Sequence, residues 1–405
     1  MSRDPQVAQA TLDPVAQPVV NAPTLVNKVA TFHKMLDHLQ GQSLIALDTE
    51  SNSLFRYYPK VCLIQLTTFA DPQQPDPAQV VDYLVDPLAL TQLQPLGKVL
   101  QDPAVEVVMH AADNDILILQ RDFDFQFHTL FDTQLAARIL GWKQVGLAAM
   151  LQSHFGVISD KRMQRTDWGR RPLTPQQILY AQMDTHFLPA LRARMIAELQ
   201  AVGRWEEATE AFTMLRLIDY NEREAAARSF WQMRNTRDVP RANHGVLEAL
   251  WQWRESEAQR RDRPPFKIAN DQTLAALATA QPQELQELAQ ISGLGEQQIR
   301  QYGKTILATI AEGRQRPMPE PPATDRQDQL EKAVQQRYDA LRQWRTNTAE
   351  QRGVAPEIVF SNSILLMLAQ RMPQSEAEIL EIAEIGPWKA QTYSRAILNT
   401  LHKVR

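Results

Sequence analysis

A gapless internal repeat constrains this chain more than any other feature. Trp253-Arg254 recurs as Trp344-Arg345, 91 residues on, and the same offset carries Ala258 to Ala349, Arg261 to Arg352 and Pro265 to Pro356. It also carries Leu274, Leu277 and Ala278 to Leu365, Leu368 and Ala369, and Pro282, Ile291, Gly295 and Tyr302 to Pro373, Ile382, Gly386 and Tyr393. So many matches in one register mean a duplicated unit, and the period is too long and the copies too few for a solenoid. The apolar spacing is helical, with Trp253 and Trp344 on apolar helix faces. The C-terminal part is therefore expected to be two all-α domains, over 239–316 and 329–405, joined by a proline-rich linker at 317–328.

The N-terminal part has another pattern. Leu44-Ile-Ala-Leu runs into Asp48-Thr-Glu50, answered by the extended stretch Val61-Cys-Leu-Ile-Gln-Leu-Thr67. Side chains on a strand alternate faces, so Asp48 and Glu50 point the same way. Two carboxylates side by side at the end of a buried strand repel each other and are costly to desolvate. A divalent metal is the simplest compensation, since carboxylate oxygens are hard ligands suited to Mg²⁺ or Mn²⁺; a strand end emerging into water is the plain alternative. Further strands are expected at 80–85 and 105–109, with helices over 90–100, from 116 and over 132–140. Strands followed by strand–helix alternation indicate an α/β domain with a mixed sheet over 23–205, behind a loosely packed tail at 1–22. Residues 206–238 read as a connecting helical segment, with one long polar helix or a pair from Trp205 to Arg234.

Composition excludes several classes. A net charge of −4 and a pI near 6.1 advertise no nucleic-acid partner globally, so any such partner must be met by local basic patches. The one cysteine, Cys62, lies in an apolar strand and reads as a buried, inert thiol. No stretch is long and apolar enough for a membrane span, and the N-terminus has no apolar signal core, so a cytoplasmic location is the expectation.

Two more segments supply acids. One is the strand end His110-Ala-Ala-Asp-Asn-Asp115; the other is Tyr180-Ala-Gln-Met-Asp184, whose i and i+4 spacing puts phenol and carboxylate on one helix face. Carboxylates at strand ends and on a neighbouring helix are what a two-metal phosphodiesterase site needs. Each segment alone is weak; their order and separation together are specific. They resemble the Exo I, Exo II and Exo III motifs of the DEDD-type 3′→5′ exonucleases, and Tyr180 places the chain with the DEDDy subgroup. Leu47-Asp-Thr-Glu50, Tyr58-Pro59, Cys62-Leu-Ile-Gln-Leu66, Phe131-Asp-Thr-Gln134, Gln164-Arg-Thr-Asp-Trp168 and Arg170-Arg-Pro172 extend the resemblance to the ribonuclease D family. The duplicated unit resembles a pair of HRDC domains, small helical nucleic-acid-binding modules. The implied fold is a ribonuclease H-like mixed-sheet exonuclease domain followed by two all-α HRDC-type domains. Two departures stand out: Ser51 where many relatives have an aromatic, and Glu384 in place of the first glycine of the turn Gly293-Leu-Gly295 in the second copy.

The resemblance implies two divalent ions, Mg²⁺ or Mn²⁺. Asp48 would bridge both, Glu50 and Asp184 would complete the site of the ion that activates water, and Asp115 would hold the other on the leaving-group side. Tyr180 would orient the attacking water, and the product would be a nucleoside 5′-monophosphate. His110, Asp113 and Asp132 read as structural. Arg162, Arg165, Arg170 and Arg171, just before the Tyr180 helix, would face RNA phosphates, and Trp168 would pack in the core. Gly293 and Gly295 either offer backbone N–H groups to a phosphate or simply cap helices. The expected function is a metal-dependent 3′→5′ exoribonuclease acting on RNA, tRNA precursors above all, as a monomer with no membrane association. A DNA exonuclease of the same superfamily is the first alternative, separable by preference for the 2′-hydroxyl. A catalytically inactive RNA-binding scaffold is the second; the presence of all four carboxylates and the tyrosine argues against it.

Overall fold

The structure, a computed structural model, describes residues 20–218, 220, 229–320 and 332–404. The expectation for the tail, and most of that for the linker, falls on residues outside this set.

Alternating strand residues divide the N-terminal domain into layers. On β2 (Leu44–Ser51), Ile45 and Leu47 enter one core, while Leu44 and Ala46 enter another on the opposite face. The sheet has six strands in the order β1-β4-β3-β2-β5-β6, with β1 Thr24–Val26, β3 Val61–Phe69, β4 Val80–Val85, β5 Glu106–Met109 and β6 Thr129–Asp132. β3 is antiparallel to both neighbours, and the other pairs are parallel. The sheet is therefore mixed, as expected; β6, four residues long, carries no sequence signal of its own. Helices α1 (Val29–Leu39), α2 (Gln94–Leu100) and α3 (Asp113–Phe123) cover the first face. The second face is covered by α4 (Thr133–Leu140), α5 (Leu147–Phe155), α6 (Pro175–His186), α7 (Leu188–Ala201) and α8 (Trp205–Leu215).

Asp48 and Glu50 continue the second face of β2, where the strand emerges from its apolar core. A register shift between Glu50 and Ser51 ends the regular pairing with β3 there. Bulges of this kind bend a strand and re-aim its side chains, and they recur next to functional sites.

The duplication is legible in three dimensions at the same offset. Helices α9–α13 (His244–Arg261, Pro265–Ile268, Asp271–Ala280, Leu285–Leu288, Glu296–Gly313) recur as α14–α18 (Lys332–Arg352, Pro356–Val359, Asn362–Arg371, Glu376–Leu380, Pro387–His402). Matching details recur too: buried Arg254 donates to the Ala269 carbonyl and Arg345 to that of Phe360, and Gln281 and Met372 are both left-handed helix ends. Of the long helix or pair expected from Trp205 to Arg234, the described residues show α8, which ends at Leu215, so the helix is not one continuous rod; residues 219 and 221–228 lie outside the described set.

The two units dock on the catalytic domain by different surfaces. The first grips the loop after β2: Arg56 pairs with Asp262 at 2.9 Å, Tyr57 N–H donates to Asp262 at 3.1 Å, and Lys267 Nζ lies 4.3 Å from the Phe55 ring centre. The second grips α8. Arg352 pairs with the buried Glu207, the Arg204 guanidinium donates to the Arg352 carbonyl at 2.7 Å, and the Trp388 and Lys389 amides at the start of α18 donate to Glu210. Breaking a buried ion pair by removing one partner leaves the other uncompensated. Glu207→Ala is thus expected to destabilise the seating of the second unit by about 3 kcal/mol. Small-angle scattering would show that unit released from α8; unchanged scattering and unchanged unfolding would refute this role for Glu207.

Candidate active site

The carboxylates reach one place from three directions. β2 supplies Asp48 and Glu50, the first turn of α3 supplies Asp115, and α6 supplies Asp184 with Tyr180 one turn before it. The start of α6 is fixed locally: Thr174 caps it, Gln177 completes a capping box and Pro175 occupies its first turn. A buried polar set holds its far end to the sheet: the Gln182 amide donates to Asp82 at 2.6 Å, and Thr67 donates to Asp82 at 2.7 Å and meets Thr185 at 2.8 Å.

Asp48, His110, Ser159, Lys161, Gln164, Tyr180 and Asp184 line a cavity of about 400 Å³. Asp115 sits behind it, its carboxylate accepting from the Thr49 hydroxyl. Burial, before anything else, pushes all four carboxyls above their ordinary range. The charges of Asp115, Asp184 and Glu50 push Asp48 further, and Glu50 reaches about 9 with Asp184 and Asp115 as its neighbours. Asp115 and Asp184 also rise through burial, opposed by hydrogen bonds from Thr49 and Tyr180 respectively. Among the described residues no lysine or arginine is paired with any of the four, although Lys161 lines the same cavity. This donor set, all hard oxygen and without a cationic partner, fits divalent cations chemically. The cage is not closed beforehand: among the described residues, no three His, Cys, Asp or Glu side chains stand at metal-ligand spacing.

Tyr180 is buried, and that burial, with the Asp184 and Glu50 charges next, raises its phenol above the ordinary value. It therefore keeps its proton. Gln164 hydrogen-bonds to the phenol, which in turn hydrogen-bonds to Asp184. In the sequence Gln164 stands out only as part of a motif; its position over Tyr180 is a tertiary fact. His110, read as structural from the sequence, also lines the cavity. The Thr133 hydroxyl donates to the Met109 carbonyl at 3.1 Å, so it accepts from His110 Nδ1 at 3.0 Å, and Nδ1 carries the ring proton. Burial lowers the imidazole to about 4, so the ring is neutral, and Nε2 is left as an acceptor on a residue of the cavity wall. Asp132 is structural, as expected: it caps α4 by accepting from the Leu135 amide and also accepts from that of Ala112.

The basic stretch divides. Arg162 and Arg165 flank the cavity-lining Gln164 and are exposed, as is Arg170. Arg171 is a correction. Its guanidinium donates to both Asp86 oxygens and to the carbonyls of Cys62, Trp168 and Arg170, which uses all five of its N–H groups and leaves none for a phosphate. Trp168 is fully buried and Cys62 is buried, as expected. Gly293 has φ +89°, and a Cβ there would clash with the Thr273 hydroxyl, so the turn requires glycine. Gly295 caps α13 and is exposed.

Comparison with known proteins agrees with this geometry. The 3′-5′ exonuclease family matches residues 23–200, and the HRDC domain matches 243–310 and 334–401. Ribonuclease D of Granulibacter bethesdensis is 30% identical over 93% of this chain and 92% of its own length. Ribonuclease D of Escherichia coli is 30% identical over 89% of this chain and 93% of its own. The crystal structure of the Escherichia coli enzyme, described as an exoribonuclease involved in structured RNA processing, superposes with a TM-score of 0.66 at 25% identity, covering 94% of this chain and 99% of that one. The chain belongs to the ribonuclease D family and is a 3′→5′ exoribonuclease, with a ribonuclease H-like catalytic domain carrying two HRDC domains.

Proposed function

We infer that Asp48, Glu50, Asp115 and Asp184 hold two divalent cations, Mg²⁺ or Mn²⁺, and that with Tyr180 they hydrolyse the last phosphodiester of RNA to release a nucleoside 5′-monophosphate. The observation that carries this is the gathering of four carboxyls from three elements, Asp184 buried and the others half-buried, with no lysine or arginine paired to them among the described residues. When bound, such cations supply Lewis acidity and make water a competent nucleophile near neutral pH. The residues do the rest. Asp48, whose carboxyl feels the charges of Asp115, Asp184 and Glu50, would be the shared ligand. Tyr180, protonated, donates a hydrogen bond and orients water rather than acting as base. Nε2 of His110, an acceptor, suits a ribose hydroxyl, the group that separates RNA from DNA. Arg162, Arg165 and Arg170 offer positive charge to the incoming backbone, and Gly293 and Gly295 sit at a solvent-facing helix start in the first HRDC unit.

The substrate class we favour is tRNA precursors, trimmed by a cytoplasmic monomer. The involvement of the Escherichia coli relative in structured RNA processing supports it, and among the described residues no helix is long and apolar enough to cross a membrane.

The test uses 5′-labelled RNA with a free 3′-hydroxyl and a matched DNA, with and without Mg²⁺ or Mn²⁺. A metal-dependent ladder on RNA is expected. Tyr180→Phe should slow it about 10²- to 10⁴-fold, as loss of a positioned proton-handling group does, while keeping metal binding. Equal degradation of DNA would move the substrate assignment, and an unimpaired Tyr180→Phe would remove the tyrosine from the mechanism.

A further inference from the structure

Gln65 lies in the middle of β3 and is fully buried, yet among the described residues neither its amide oxygen nor its amide nitrogen has a hydrogen-bond partner. Such orphans are rare in folded proteins and unfavourable. Its position is specific. In the β2–β3 ladder Gln65 stands directly opposite Asp48, and in the β3–β4 ladder opposite Leu84. Residues directly opposite on an antiparallel pair share a face, with Cβ atoms about 5 Å apart. Gln65 therefore lies on the carboxylate face, and the apolar residues around it, Leu63 and Leu84, pack with Tyr180 and Ala181 of α6. The amide is enclosed between the sheet and the helix that carries Asp184.

Asp48, directly across the ladder, takes a hydrogen bond from the Thr49 backbone. A carboxylate shared between two cations must be ionised and fixed in orientation, and donors outside the ligand shell do this in metal sites generally. An amide without a partner among the described residues thus faces a carboxylate across one strand pair.

Resting on the two-cation reading above, we propose that Gln65 is a positioning residue for that site: its side-chain N–H donates to the Asp48 carboxylate when cations hold it ionised. Gln65 touches neither substrate nor cation in this role and acts through Asp48.

The experiment compares full-length wild-type protein with Gln65→Met, which keeps the volume and removes both orphaned atoms. Melting temperature is measured in EDTA, and Mn²⁺ affinity by calorimetric titration. The variant is expected to melt at the same temperature or a few degrees higher in EDTA, because an unpaired amide has been removed. It is expected to bind Mn²⁺ at least about tenfold more weakly, the effect typical of losing a partner that orients a ligand. A merely structural glutamine would not produce that combination. Mn²⁺ affinity within threefold of wild type would overturn the proposal. So would a melting temperature several degrees lower in EDTA, which would mean the amide already has a partner. If wild type itself binds no Mn²⁺, the two-cation reading fails and the role of Gln65 falls with it; a defect confined to the comparison overturns Gln65 alone.

Discussion

Asp48→Asn is expected to lower RNA hydrolysis about 10⁴-fold or more while leaving a folded protein. Residues that act as one catalytic unit lose nearly all of its contribution when a central member is removed, and losses of that order are measured when they are. Asp48 is central here: it is the carboxyl that Asp115, Asp184 and Glu50 all act upon. Asparagine preserves size and removes one charge from a crowded, buried cluster, so the metal-free variant should be at least as stable as wild type. Single-turnover cleavage of a labelled RNA, beside melting curves with and without Mn²⁺, would check both halves. Activity within tenfold of wild type would show that the site does not work through Asp48. A variant that fails to fold would show that its carboxylate is needed for structure.

The same crowding makes stability depend on pH in a direction opposite to that of most proteins with paired carboxylates. Each of the four carboxyls binds its proton more tightly folded than unfolded. Its contribution is therefore full below the ordinary carboxyl value, 4.5 for Glu50, and is lost as the pH rises towards the folded value, about 9 for Glu50. In EDTA the melting temperature of the catalytic domain is expected to fall as pH rises from 5 to 9. Divalent cations bind the ionised cluster and should reverse the trend. Mn²⁺ at a hundred times its dissociation constant stabilises by about 2.7 kcal/mol, or about 5–10 °C for a domain of this size. Calorimetric scans across that range settle the matter: a flat profile in EDTA, or no response to Mn²⁺ at pH 8, is incompatible with an uncompensated carboxylate cluster.

What the sequence reveals is whatever has a local period. The alternation of Leu44 to Glu50 is enough by itself to separate two cores and a carboxylate face, and the 91-residue offset returns helix for helix in the two C-terminal units. What it hides depends on partners remote in the chain. Arg171 resembles its basic neighbours, and only the fold brings Asp86 and the Cys62 carbonyl to its guanidinium. The polar pattern after Trp205 suggests one long helix or a pair to Arg234, but α8 ends at Leu215, where Gln120 of α3, remote in sequence, takes hold of Ile218 and Tyr220. Gln65 reads as one polar position in a strand; its isolation is visible only once β2, β4 and α6 enclose it.

The two C-terminal units share a framework but present it differently. At the start of α18, the Trp388 and Lys389 amides already hold Glu210. A carboxylate tethered in the same chain faces those amides at an effective concentration in the millimolar range or above. RNA at micromolar concentration competes poorly against such an occupant. At the matching helix start in the first unit, Gly295 and Gln297 are exposed, and the Gly295 amide is taken by the Gln298 side chain of its own helix. The duplication has thus produced two modules that are not interchangeable, one whose helix start is capped by its own glutamine and one whose helix start is filled by a carboxylate of the catalytic domain.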